Sequence, residues 1–168
     1  MVARVRLERP TTRAAAEFIA AAARSAKLHA PWVAPPRTPS AYRAYVKTAR
    51  TPAHVGYLIR RRGSEELVGV ANISEIVRAS FRSAYLGYYA FAPYDDQGLM
   101  REGLGLVIAH AFRRLRLHRL EANIQPANRA SRRLVRRLGF RREGYSRRYL
   151  KARGRWRDHE RWALLADE

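Results

Sequence analysis

The sequence predicts an α/β domain built on a mixed sheet layered with helices. Three observations carry that reading. The apparent element order, β-α-α-β-β-β-α-β-α-β-β, is not a run of alternating βα units. Residues 84–92 are rich in Tyr and Phe, and they feed a glycine-containing turn and then a long amphipathic helix. The chain has 168 residues, 47% of them hydrophobic, enough for one core, so a single domain over residues 3–166 is expected.

The first strand is expected at residues 3–8, where Val5 and Leu7 alternate with Arg4, Arg6 and Glu8. Thr11 or Thr12 can cap a helix that runs through Phe18 and Ile19 to Ala23. Residues 29–39 are Pro-rich and break regular structure. Trp32 sits on that loop, either pinned to the core or serving as a flap over a substrate groove. Ser40 is the expected cap of a second helix through Tyr42, Tyr45 and Val46. Residues 54–61 and 66–76 read as strands joined at Arg62-Gly63-Ser64.

Residues 83–115 organise the rest. After the aromatic strand comes Pro93-Tyr94-Asp95-Asp96-Gln97-Gly98, and then Met100, Leu104, Val107, Ile108, Ala111 and Leu115 at helical spacing. The first N–H groups of such a helix have no partner inside it. Together with the helix dipole they suit an anion, most naturally a phosphate. A strand at 118–124 follows, then a helix at 128–138. Two last strands, near 144–151 and 156–164, are joined at Ala152-Arg153-Gly154.

Charge and composition narrow the function. Lys and Arg number 34 against 14 Asp and Glu, a formal net charge of +20, and 31 of the 34 are Arg. Residues 113–157 hold 17 basic and 2 acidic residues, or +15. Such a field attracts RNA, phosphorylated ligands or acidic protein surfaces, although a plainly solvated surface has the same composition. On the helix at 128–138, Arg129, Arg132, Arg133, Arg136 and Arg137 share one face, opposite Ala130, Leu134, Val135 and Leu138. With no cysteine there is no disulfide, thiol nucleophile or thiolate metal site. The five His have no ligand spacing, so no metal is expected. No apolar run suggests a membrane span and no signal-peptide pattern opens the chain, so a cytoplasmic protein is expected.

A set of strings in order makes the chain recognisable. They are Gly69-Val70-Ala71-Asn72-Ile73-Ser74, Tyr85-Leu86-Gly87-Tyr88, Gly98-Leu99-Met100 with Glu102, Pro126-x-Asn128-x-x-Ser131, Leu138-Gly139-Phe140 and Trp156-Arg157-Asp158-His159. The chain resembles the GNAT acetyltransferase superfamily, densely from about residue 66 to 165. Within it, the chain is most similar to the Rim-type, RimJ-like enzymes that acetylate the N-terminal alanine of ribosomal proteins. The resemblance implies a mostly antiparallel sheet with two splayed parallel strands, residues 84–92 and 118–124, and acetyl-CoA in the V between them. It implies pantetheine pairing near Phe91 and Ala92, pyrophosphate on the N–H groups of Gln97, Gly98, Leu99, Met100 and Arg101, and Asn128 near the thioester. One departure stands out: Asp96 replaces a small residue of the family's turn. Asp95 and Asp96 then face a phosphate unless they point outward or pair with Arg101 or a helical Arg.

The resemblance also bears on the chemistry. The carboxylate that many relatives use as base falls at about Leu86, and the usual Tyr acid falls at Val135, so neither is present. Rim-type relatives can use a serine as acid, which carries over to Ser131. Glu121 is the remaining carboxylate on the second splayed strand, either a base or the ion-pair partner of Arg119. Glu102 reads as structural at a helix N-terminus. Asn72, Asn123 and Tyr149 are candidate walls of the acceptor site. An α-amine has a pKa of about 7.7–8 against about 10.4 for lysine. A site without a strong base therefore suits a protein N-terminus. The alternatives are a ribosome- or RNA-binding module that has lost catalysis and an acetyltransferase of small amines. A monomer and a homodimer are both compatible with the sequence.

Overall fold

The computed structural model describes residues 3–168. Among them, seven strands form one sheet in the order β1-β2-β3-β4-β5-β7-β6. β1 (Val5–Glu8), β2 (Val55–Arg61), β3 (Leu67–Val77) and β4 (Ser83–Ala90) pair antiparallel in succession. β5 (Arg119–Ile124) runs parallel to β4, and β7 (Arg155–Leu165) and β6 (Arg141–Ala152) complete the sheet antiparallel. The mixed α/β class is thus the one the sequence predicts.

Helices cover both faces. α4 (Leu99–Arg113) and α5 (Arg129–Arg137) pack on one side, where Leu104, Val107, Ala111 and Val135 are fully buried against Tyr57, Ile59, Leu86 and Leu120. α1 (Ala15–Arg24), α2 (Ala26–His29) and α3 (Pro39–Thr48) lie on the other, where Phe18, Tyr42 and Val46 meet Leu58, Val70 and Phe91. β2 is therefore buried on both faces, with Tyr57 and Ile59 in one layer and Leu58 in the other. Arg60 ties three elements together, donating to Glu8 of β1, to Glu17 of α1 and to the Glu65 carbonyl. Among the described residues no helix is long and apolar enough to cross a membrane.

Several boundaries differ from the sequence reading, each for a local reason. α3 begins at Pro39, not after Ser40: Thr38 is the cap, its Oγ1 accepting from the Ala41 N–H at 3.2 Å, with proline in the first turn. β4 stops at Ala90, so Phe91 and Ala92 lie outside it. The Ala92 N–H is captured by the Ser25 hydroxyl at 2.9 Å, a contact 67 residues away in sequence. β6 and β7 start at Arg141 and Arg155, earlier than expected: Arg141 already pairs with Ala163 and Arg155 with Ala152, with register shifts between Arg142 and Gly144 and between Ser146 and Leu150. α5 ends as the Gly139 N–H donates to Arg136 O and the Phe140 N–H to Val135 O, a pattern that satisfies its last carbonyls.

Candidate active site

β4 and β5 are bonded only at their starts, where Ser83, Ala84 and Tyr85 pair with Arg119, Leu120 and Glu121. Beyond that point no pairing joins the two strands, and a cavity of about 500 Å³ opens between β4 and α5. Tyr88, Tyr89 and Ala90 form its β4 wall, residues 94–98 with Met100 and Arg101 its rim, and α5 its far side. His29, Trp32 and Val33 close it from above α2, so the Pro-rich loop reaches the groove.

The rim is a helix N-terminus. Gly98 caps α4 in the left-handed region, with φ 77°, a conformation that costs a side-chain-bearing residue about 1–2 kcal/mol. Gln97, Gly98, Leu99, Met100 and Arg101 have backbone N–H groups without an acceptor among the described residues. Arg4 braces this turn: a guanidinium nitrogen donates to Gln97 O at 3.1 Å, and its backbone N–H and Nε donate to the Glu102 carboxylate at 2.8 and 2.7 Å. Those bonds hold the Glu102 pKa below its ordinary value. Glu102 is accordingly a strut between the β1 lead-in and α4.

Asp95 is half-buried and Asp96 exposed. Neither pairs with Arg101 or a helical Arg: among the described residues they form no ion pair or side-chain hydrogen bond. Both line the cavity, but so do Arg101, Arg133 and Arg137, so cations outnumber carboxylates there. Bare N–H groups, a left-handed glycine and three guanidinium groups fit a pyrophosphate-bearing ligand.

Deeper in, Tyr88 and Ser131 meet. The Tyr88 hydroxyl lies 2.5 Å from Ser131 Oγ. Burial pushes the Tyr88 phenol up to about 12, although the Ser131 hydrogen bond pulls it back, so the phenol keeps its proton. Asn128 caps α5, its Oδ1 accepting from the Ser131 N–H at 3.1 Å. Asn128 also lines the cavity. His29 is buried, and its Nε2 donates to Ala90 O at 2.6 Å. Burial, with Arg37 adding repulsion, lowers its pKa against that bond and keeps the ring neutral.

The other expected residues sit elsewhere. Phe91 and Ala92 do not line the cavity. The Phe91 N–H donates to Val68 O and its carbonyl accepts from Tyr94 N, while Ala92 O accepts from Arg24 Nε at 3.1 Å. The strand edge on the groove is Tyr88 to Ala90 instead. Glu121 accepts from Arg119 Nε at 2.8 Å, the ion pair the sequence suggested. It lines a separate cavity of about 260 Å³ with Glu75, Phe81 and Tyr85. Asn72 Oδ1 accepts from the Tyr45 hydroxyl at 2.9 Å. Asn123 Oδ1 is buried without a hydrogen-bond partner among the described residues. Tyr149 lies beside Tyr85, whose phenol it helps raise to about 12. These residues are not brought to Ser131 in one cavity.

α5 also departs from its expected faces. Val135 alone of its apolar residues is fully buried, while Ala130 and Leu134 line the cavity together with Arg133 and Arg137. Arg132 pairs with Glu160 at 3.0 Å, and Arg136 lies over the Trp162 ring at 5.7 Å. The arginine stripe is thus largely spoken for. Tyr88 and His29 were missed as site residues, although Tyr88 stands in the Tyr85-Leu86-Gly87-Tyr88 string.

Comparison with known proteins gives this geometry a family. Residues 4–141 match the model of the acetyltransferase (GNAT) domain. The chain is 45% identical over 104 residues to the [ribosomal protein uS5]-alanine N-acetyltransferase of Escherichia coli, covering 62% of this chain and 54% of that protein. It spans about half the length of the curated relatives it matches. Its structure superposes on Mycobacterium smegmatis RimJ in complex with CoA-disulfide with a TM-score of 0.87 at 27% identity, covering 97% of this chain and 82% of that one. It also shares its fold with the spermidine N-acetyltransferase of Vibrio cholerae in complex with CoA and spermine, at TM-score 0.82 and 18% identity, over 98% and 96% of the two chains. The parting of β4 and β5, the bare helix N-terminus in their mouth and the family match lead to one conclusion: this chain belongs to the GNAT acetyltransferase family.

Proposed function

We propose that the chain transfers the acetyl group of acetyl-CoA to the α-amine of a protein N-terminus, with alanine or another small first residue, on a ribosomal protein. The observation that carries this reading is the Tyr88–Ser131 pair, set in the fork of β4 and β5 beside the N–H groups of Gln97 to Arg101. In this reading those N–H groups, with Arg101, Arg133 and Arg137, hold the pyrophosphate. The edge of β4 at Tyr88 and Ala90, where the Ala90 carbonyl is already taken by His29, guides the pantetheine arm. The relative that acts on uS5 supports the alanine preference.

The acceptor reacts as the neutral amine. Its nitrogen forms a bond to the thioester carbonyl carbon, and the carbon–sulfur bond breaks. Ser131 gives its proton to the sulfur. The proton released by the new C–N bond returns to Ser131 Oγ through water. The net products are an amide and a free thiol. Tyr88, protonated throughout, donates to Ser131 Oγ and fixes its direction, leaving the serine proton free to point at the sulfur.

Calorimetry with CoA and a thiol-release assay with peptides test the reading. The expected result is CoA binding, with transfer to a peptide beginning with Ala and little to one whose N-terminus is blocked but which carries a free Lys. Asp95 and Asp96, carboxylates without cation partners at the phosphate rim, favour a second reading, a docking module that no longer binds the donor. Absence of binding at millimolar CoA would leave that reading in place of the first.

A further inference from the structure

The stretch of highest charge in the sequence is not spread evenly over the surface. β5 pairs with β7 only between Glu160 and Leu165, whereas β6 and β7 remain paired out to Ala152 and Arg155. The distal half of this hairpin therefore extends past the sheet as a two-stranded arm. It carries Arg147, Arg148, Lys151, Arg153, Arg155 and Arg157, all exposed and none in an ion pair among the described residues. Its one carboxylate, Asp158, is occupied, accepting from the Tyr145 hydroxyl at 2.5 Å and from the Arg148 N–H at 2.8 Å. Of the α5 arginines, Arg132 is held by Glu160, Arg136 lies on Trp162, and Arg133 and Arg137 line the donor cavity, leaving Arg129 exposed.

The arm also exposes apolar planes. Trp156 is 61% exposed, Tyr145 46% and Leu150 43%. Trp156 stands directly across from Lys151, and Leu150 across from Arg157. Neither the core nor the donor cavity uses these side chains. Arg155 and Arg157 lie two residues apart on β7, a spacing of about 6.6 Å along an extended chain, while Arg153 sits in the hairpin turn. That step is close to the distance between neighbouring phosphates of an extended nucleotide strand. Alternation along β7 puts Arg155 and Arg157 on one face of the arm and Trp156, with Lys151 across from it, on the other, so a single strand that crosses the arm meets cations for its phosphates and a flat ring on which a base can stack. An acidic peptide would satisfy the cations but leave Trp156 and Tyr145 without a stacking partner.

We propose that the β6–β7 arm is a docking site for single-stranded RNA, with the six cations on phosphates and Trp156 stacked on a base. The choice of RNA rests on the reading of a ribosomal acceptor given above. The arm itself does not depend on acetyl transfer, and its test uses no donor, so the two can fail separately.

The test is fluorescence anisotropy of the full chain with a labelled single-stranded RNA of mixed sequence, in KCl from low to high concentration. Six phosphate contacts predict a slope of log K against log salt of about −4. Changing the six arm cations to Gln removes most of that slope. Changing Arg13, Arg43, Lys47, Arg50, Arg113 and Arg114 to Gln lowers the net charge equally and leaves most of it in place. W156A weakens binding by ~5- to 160-fold with the slope unchanged, since stacking releases no counterions. Thermal melts confirm that each variant is folded. Equal loss in the two six-fold variants, or W156A binding as the parent does, overturns the proposal. So does a poly-glutamate chain that displaces the RNA at equal charge concentration, an outcome that points to an acidic protein instead.

Discussion

Tyr88→Phe removes one hydroxyl and leaves the ring that packs beside α5. If that hydroxyl directs Ser131, its loss acts on turnover and not on donor binding. The bond is 2.5 Å long, between a phenol that burial keeps protonated and a serine at the cavity wall. A hydrogen bond of this kind contributes a net ~0.5–1.5 kcal/mol. If all of that is felt at the transition state, kcat falls about 2- to 13-fold. Ser131→Ala removes the proton donor itself, and kcat falls ~100- to 10,000-fold. The discriminating quantity is the double variant. Without the serine hydroxyl Tyr88 has nothing to direct, so Tyr88→Phe adds no further loss in the Ser131→Ala background. The assay is thiol release at saturating acetyl-CoA with an Ala-initiated peptide, alongside calorimetric Kd values for CoA. Full additivity of the two losses, or a Kd for CoA that worsens in step with kcat, refutes the directing role and leaves Tyr88 as packing alone.

Two further expectations concern stability. At Gly69 an added Cβ would lie 2.4 Å from Met100 Sδ and 2.7 Å from the Tyr89 carbonyl. The sulfur can swing away but the β4 backbone cannot, so Gly69→Ala costs about 1–3 kcal/mol and lowers Tm by roughly 2–12 °C; an unchanged melt would show that β4 yields freely at the mouth of the groove. His29 and His110 are both held below their ordinary pKa, chiefly by burial. The unfolded chain thus takes up protons that the folded chain refuses. Stability is full above about pH 6.5 and declines as pH falls below it toward the folded values. Glu102, Glu143 and Asp158 are lowered by their partners and add a second loss only below about pH 4.5. Chemical denaturation at pH 7.5, 6.0 and 5.0 should show the first decline, and His29→Gln should flatten it.

What the sequence made legible was periodic. The apolar stripe of α4 maps onto Leu104, Val107 and Ala111, all with no exposed surface. The glycine turn maps onto a left-handed cap, because strand, turn and helix are local signals. What it hid depends on partners far along the chain. Nothing local says that Ser25 takes the Ala92 N–H just beyond the end of β4, which leaves Tyr88 and Ala90, not Phe91 and Ala92, on the groove. The arginines of α5 read as a solvent stripe because helical spacing reports a face and not what the face meets. Three-dimensional contact sorts four of the five into an ion pair with Glu160, a stack on Trp162 and two cavity linings, leaving Arg129 exposed. Tyr88 was hidden for a related reason: its place in an aromatic strand looked like packing until α5 brought Ser131 to its hydroxyl.

Among the described residues the carboxylates of the larger cavity, Asp95 and Asp96, belong to the turn before α4 and not to the elements that carry Tyr88 and Ser131, and this has a consequence for the acceptor. Deprotonating a lysine costs about 3.5 kcal/mol more than deprotonating an α-amine at the same pH. A base can supply that difference, but Glu121 is bonded to Arg119 and opens on the smaller cavity. The larger cavity carries Arg101, Arg133 and Arg137 against Asp95 and Asp96, and a bound diphosphate offsets the remaining positive charge. The cavity's field therefore does not replace a base. An α-amine, already near neutrality, reaches its reactive form unaided, whereas a lysine would remain mostly protonated. On the proposed reading, then, the arginines hold the diphosphate at the rim, and the acceptor is the one class of amine that needs little help to lose its proton.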